Sequence, residues 1–209
     1  DDSSEPAAQA NNQGVNPNPP PVMDEPQPVT DQNANLILRK YSFIDPQHLI
    51  LEKMLGQALL YYDQNYNRIK NKKYLTIVDF SKKSNQERFF IIDMASGKVW
   101  ALHVAHGKGS DPDGERLANI FSNKSGSEAS SLGFYLTAET YSGKYGRSMK
   151  VDGLSATNSN VRARSVVLHG AAYVQESDVK QGRSWGCFAL TMSLKDQVID
   201  RIKDGSLMY

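Results

Sequence analysis

Residue 34 divides the chain into two compositions that cannot share a fold. Seven of the nine prolines lie before it, with many Asn, Gln and Ser and no Lys or Arg. Such a stretch buries too little apolar surface to offset the entropy of ordering it, so residues 1–34 read as a disordered acidic linker or stalk. Any core falls on residues 35–209, a length suited to one domain. Six acids (Asp1, Asp2, Glu5, Asp24, Glu25 and Asp31) belong to the linker, which leaves 17 acids against 24 bases beyond it, an excess of seven positive charges. The near-neutral total therefore hides a moderately basic domain, suited to an anionic polymer. Without clustered Arg and Lys among aromatics, nucleic acid is not the expected partner. No run approaches the roughly 20 apolar residues that span a bilayer, so no membrane span is expected. The chain carries no basic-then-apolar signal segment, and its Asp1-Asp2 start fits a mature or trimmed form; export must be argued from chemistry.

Beyond the linker, apolar residues at Leu49, Leu51, Met54, Leu55, Ala58, Leu59 and Tyr62 recur at helical spacing, and Asp45-Pro46 supplies an N-cap and a first-turn proline. An amphipathic helix is predicted from Pro46 to about Tyr66. Runs with strand character follow at 74–80, 88–94 and 98–105, separated by polar turns, and read as an antiparallel meander. From His106 to Leu132 the chain is rich in Gly and Ser, a loop long enough to suggest function. Strand-like pieces return at 133–138 and 166–169, with a glycine-punctuated stretch between. A last helix is predicted from Leu194 to Lys203, with Ser193 and Asp196 as a capping-box-like start and Gly205 as a stop.

One cysteine, Cys187, excludes an internal disulfide framework and leaves a single thiol to explain. It ends the run Gly182-Arg183-Ser184-Trp185-Gly186-Cys187. Gly186 lets the chain turn sharply and a substrate backbone come close. Arg183 would favour the thiolate. A free cysteine is as easily a small buried hydrophobe, but these neighbours argue for a reactive thiol. Its partner base would be His169, which ends the apolar run Val166-Val167-Leu168 just before Gly170. His103 and His106 invite a zinc site, yet residues three apart on a strand face opposite sides, so no metal or other cofactor is expected. His106 could instead contact substrate at the site's mouth, or simply close its loop. Tyr141 and Tyr145 could line a peptide groove, although packing is the simpler role.

The pattern His-Gly, a spacer, then Ser-x-Gly-Cys resembles the signature of the YkuD-like L,D-transpeptidases, which cross-link peptidoglycan. The longer series Ala105-His106-Gly107-Lys108-Gly109-Ser110, Phe121-Ser122-Asn123, Ser130-Ser131-Leu132-Gly133-Phe134, His169-Gly170-Ala171 and residues 182–187 is similar to the murein L,D-transpeptidase catalytic domain branch. The resemblance runs from about Phe43 to Tyr209. It implies a mainly β fold, sandwich- or barrel-like, with an N-terminal amphipathic helix and a C-terminal helix. It also implies a periplasmic or cell-envelope location, stem-peptide substrates, a possible cell-envelope protein as acyl acceptor, and acylation by carbapenems. In one respect the chain departs: the broader family carries arginine two residues after the cysteine, where this chain has Ala189. Arg183 is the expected substitute, holding a substrate carboxylate or supporting the oxyanion.

On this reading Cys187 attacks a stem-peptide carbonyl and expels the terminal D-alanine, while His169 manages the proton. Backbone N–H groups around Gly186 and Cys187 steady the oxyanion, with Gly170 nearby and Ser184 hydrogen-bonding close to the thiol or steering His169. An L,D-carboxypeptidase would result if water took the acyl group. A noncatalytic peptidoglycan-binding domain is the alternative from another class. Papain-like and NlpC-type peptidases place cysteine before histidine, the reverse of the order here. Sortases need an arginine on a strand shortly after the cysteine, whereas the next arginine here, Arg201, falls in the last predicted helix.

Overall fold

The computed structural model describes Met23 and residues 30–209. Most of the stretch read as linker lies outside the described residues. Its last part does not: helix α1 (Asp31–Lys40) begins inside it, where Thr30 accepts a hydrogen bond from the Asn33 N–H at 3.4 Å. Leu38 and Tyr41 then pack on the core. Helix α2 (Glu52–Gln64) is the amphipathic helix expected, but it starts six residues late. Asp45 takes a left-handed φ of 54°, and its carboxylate accepts the N–H groups of Leu49 and Ile50 at 3.0 and 2.9 Å. An Asx-type turn has thus used the carboxylate that the sequence offered as a helix cap.

Eight strands form one mixed sheet: β1 (Tyr74–Val78), β2 (Phe89–Asp93), β3 (Val99–Leu102), β4 (Tyr135–Gly143), β5 (Gly146–Gly153), β6 (Val167–Ala171), β7 (Phe188–Thr191) and β8 (Leu207–Met208). Their order across the sheet is β3-β2-β1-β8-β4-β5-β6-β7. The meander β1-β2-β3 is antiparallel as predicted; β1 with β8 and β6 with β7 are the parallel pairs. Just past β3, the Ala105 N–H donates to the Ala189 carbonyl of β7 at 2.9 Å, so the two sheet edges meet and the architecture is barrel-like.

Both faces of β1 and β2 are covered, which is why these runs are almost continuously apolar rather than alternating. Val78, Phe89 and Ile91 point into an inner cluster with Met149, Leu168, Phe188 and Leu190. Leu75, Ile77, Phe90 and Ile92 point outward to Ala58, Leu59, Tyr61 and Tyr62 on α2. Helix α3 (Lys195–Ile202) buries Val198, Ile199 and Ile202 fully in the inner cluster, each contributing about 1.5–3 kcal/mol of apolar transfer free energy. Its first turn lacks the expected cap, because Asp196 meets Lys195 Nζ at 2.9 Å and Leu194 stands at the N-cap. Gly205, at φ 97°, ends the helical region as predicted. Among the described residues, no helix is long and apolar enough to cross a membrane.

Candidate active site

Strands β6 and β7 run parallel with Leu168 opposite Phe188 and His169 opposite Ala189. Leu168 and Phe188 both point into the inner core. By the two-residue period of a strand, His169 and Cys187 project together from the other face. Cys187 stands across from Val167, whose N–H points at the sulfur at 3.5 Å. His169 is two residues further along the same strand. With strands about 4.8 Å apart and a rise of about 3.3 Å per residue, the two Cα atoms are separated by roughly 8 Å diagonally.

The His169 ring is held on two sides. Nδ1 lies 3.0 Å from the Gly170 carbonyl, which can only accept, so Nδ1 carries the proton and the neutral tautomer has its lone pair on Nε2. Tyr145 stacks on the ring at 4.6 Å and 23°. Tyr145 comes from the two-residue turn between β4 and β5, directly before Gly146, which opens β5 at φ 74°. Gly170 has little room to change, because a Cβ there would run into Lys195 and Met192.

The turn into Cys187 is built from Ser184 and Gly186. Ser184 is fully buried; its hydroxyl donates to the Cys187 carbonyl at 2.7 Å and accepts from the Gly186 N–H at 3.1 Å. Ser184 is thus a strut of the turn. The Gly186 N–H, expected among the oxyanion donors, already points at this hydroxyl. Gly186 adopts φ 111°, and a Cβ there would stand 2.7 Å from the Ala129 carbonyl. Cys187 itself is partly exposed, with its sulfur 3.7 Å from the Ser165 carbonyl. Tyr141, half-buried on β4, is close enough that an ionised Cys187 would add to the effect of burial in raising its phenol above the usual range.

Two expectations require correction. His106 is not at the mouth of the site: it is 1% exposed, with Nδ1 2.9 Å from Arg88 and Nε2 3.2 Å from Asp111. Burial, then the Arg88 charge, push its pKa down to about 4. Arg88 is buried too, bonded to the Val104 and Lys82 carbonyls, so the pair props the segment leading out of β3. Arg183 is anchored on the loop before it rather than held ready for a substrate carboxylate. Ser184 pairs with Gly107, which sets residue 183 beside the 107–111 loop, and its guanidinium donates to the Asp111 carbonyl. Ala189 is sealed in a small cluster with Ala105, Ala171 and Val174. His103 is held separately, by Glu176 at 3.0 Å and the Asn85 carbonyl at 3.2 Å.

Arg164, which sequence reasoning passed over, lies beside the turn into Cys187, close enough that an ionised thiol would offset part of the effect of burial on its guanidinium. It precedes β6 in a run of turns, and its only signal was the basic pair Arg162 and Arg164 just before the apolar strand. A cavity of about 670 Å³ between α2, the 117–133 loop and the C-terminus, lined by Met54, Phe80, Phe121, Tyr135 and Tyr209 among others, includes neither His169 nor Cys187.

Comparison with solved structures finds similarity to an L,D-transpeptidase from Mycobacterium smegmatis, with TM-score 0.40 and 14% identity over 65% of this chain and 57% of that one. The L,D-transpeptidase LdtMt1 in complex with imipenem is similar at TM-score 0.40 and 13% identity over the same shares, 65% and 57%. An L,D-transpeptidase from Xylanimonas cellulosilytica gives 0.39 and 14%, over 74% of this chain and 68% of that one. The chain thus spans 57% of the length of the first two. Curated proteins yield no match. The family profile of the L,D-transpeptidase catalytic domain matches residues 47–209, which takes in every strand and the whole of the site, and the chain belongs to that family.

Proposed function

We propose that this domain is a cysteine acyltransferase acting on peptidoglycan stem peptides, with Cys187 as nucleophile and His169 as proton carrier. The observation that carries the reading is the register of β6 with β7, in which His169 pairs with Ala189, together with the Val167 N–H of β6 lying 3.5 Å from the sulfur of Cys187 just before β7. His169 Nε2 takes the thiol proton; the sulfur bonds to the carbonyl carbon of the residue before the terminal D-alanine. The C–N bond to D-alanine then breaks, and the leaving amine takes the proton back from His169, giving a thioester. An incoming amine repeats the steps in reverse order, forming a new amide and freeing the thiol. Thioesters favour amines over water more than oxygen esters do, which supports transfer. Ser184 serves by fixing the turn, Gly186 by allowing its left-handed backbone to pass close under the Ala129 carbonyl, and Tyr141 by lining the groove.

The acceptor is a second stem peptide or a cell-envelope protein, and the domain works in the periplasm or cell envelope, where such substrates are. Carbapenems would acylate the same sulfur. The test is incubation with defined tetrapeptide muropeptides and identification of products by mass spectrometry. Cross-linked dimers with release of D-alanine are expected, and they should vanish with Cys187→Ala. Tripeptides alone would make the enzyme an L,D-carboxypeptidase. Unchanged muropeptides with retained binding would make it a noncatalytic binding module.

A further inference from the structure

We infer that Arg164 is the positioning residue of the nucleophile: its guanidinium straps the 122–131 loop across the turn into Cys187 and sets a fixed positive charge beside the sulfur. This rests on the reading of Cys187 as the reacting group.

The Arg164 guanidinium makes four hydrogen bonds, all to one loop. One terminal nitrogen donates to the Ser122 carbonyl and the Ser131 hydroxyl, both at 2.7 Å. The other donates to the Ser127 hydroxyl at 3.1 Å and the Ala129 carbonyl at 2.7 Å. No carboxylate is among these four acceptors, so they orient the charge without neutralising it. Arg162, two residues earlier, is the contrast: its guanidinium is matched by Glu139 at 2.9 Å and by Asp152. The strap also reaches the nucleophile turn, since a Cβ on Gly186 would lie 2.7 Å from the Ala129 carbonyl and 3.3 Å from Arg164. Directly after Arg164, Ser165 takes φ 58°, a left-handed conformation that side chains rarely adopt, and its carbonyl faces the sulfur at 3.7 Å. Val167 then offers its N–H to the same sulfur at 3.5 Å. Residues 164–167 are therefore one wall of the thiol's surroundings, and Arg164 is its charged member. Other titratable or charged groups near this face include His169 of β6 with Tyr145 stacked on it, Tyr141 of β4, and Lys150 of β5, the last drawn to Glu139 at 3.5 Å.

The test titrates the thiol without reference to turnover. Cys187 is alkylated with iodoacetamide across pH 5 to 10 and labelling is read by intact mass, on His169→Gln protein so that an imidazolium does not contribute. With Arg164 present, the midpoint is expected below the ordinary thiol value of about 8.5. Arg164→Gln should raise it by about one pH unit, so that labelling at a fixed pH below the midpoint slows roughly tenfold. Arg164→Lys, which keeps the charge and loses the fork, should stay nearer the parent midpoint. Equal midpoints with and without Arg164, in proteins that melt cooperatively, would overturn the inference. If Arg164→Gln does not fold, the parent midpoint decides: at or above about 8.5 it overturns the inference, and below that it supports it. Turnover retained by Cys187→Ala would instead sink the proposed function, leaving the titration to report on Arg164 alone.

Discussion

The Ser184 hydroxyl ties together two backbone groups of the nucleophile turn, donating to the Cys187 carbonyl and accepting from the Gly186 N–H. Removing a buried hydroxyl leaves both partners unsatisfied, at a cost of about 1–3 kcal/mol. Ser184→Ala is therefore expected to lower the midpoint of chemical denaturation by that amount and to reduce kcat by tenfold or more, because the sulfur loses its fixed direction. An alanine variant with wild-type stability and kcat would show that the turn holds itself. At this scale the sequence was most informative where a residue type has few uses. A lone cysteine after a glycine, and a histidine closing an apolar strand, were readable. Arg183 and Arg164 were not: proximity along the chain favoured the first, whereas the fold brings the second to the sulfur from a turn more than twenty residues upstream.

Between elements, the segment after β3 is tied down by a buried Arg88–His106–Asp111 chain. Burial and the Arg88 charge depress the His106 pKa from 6.5 to about 4. A group whose folded pKa is depressed keeps its stabilising contribution above the unfolded value, and loses it as pH falls toward the folded one. Between pH 6.5 and 4 the protein should therefore lose up to about 3 kcal/mol through this residue. His106→Asn should flatten that part of the stability profile, measured by urea denaturation at stepped pH. An unchanged slope would remove His106 from the account. Elements with a strong pattern were legible: the meander, the helix of residues 52–64 and the final helix. Strand β5 and most of β4 were not, because Gly143, Gly146 and Gly153 punctuate the hairpin, and the glycines that read as breaks are its tight turn and its far end. Strand β8 has two residues and no period to detect; it exists because β1 and β4 leave a slot between them.

At the scale of the whole molecule, the basic excess beyond residue 34 would make the proposed contact with an anionic wall polymer salt-sensitive. Cosedimentation with purified sacculi should weaken severalfold between about 50 and 500 mM salt, as the Debye length shortens. Binding that is indifferent to salt would mean that local contacts carry it. The barrel-like closure through Ala105 and Ala189 sets β3 against β7, and so joins the structural His106 segment to the strand that follows Cys187. That closure could not be read from the sequence, since it pairs residues far apart in the chain with no turn signal between them. The central claim is that Cys187 forms a covalent bond to the stem peptide. It is tested most directly by mixing the protein with a tetrapeptide stem, quenching in acid within one turnover, and weighing the intact chain. The account predicts an adduct on Cys187 equal in mass to the acyl part of the stem without its terminal D-alanine, absent from Cys187→Ala. Release of D-alanine by the wild type with no adduct, and equally by Cys187→Ala, would contradict it.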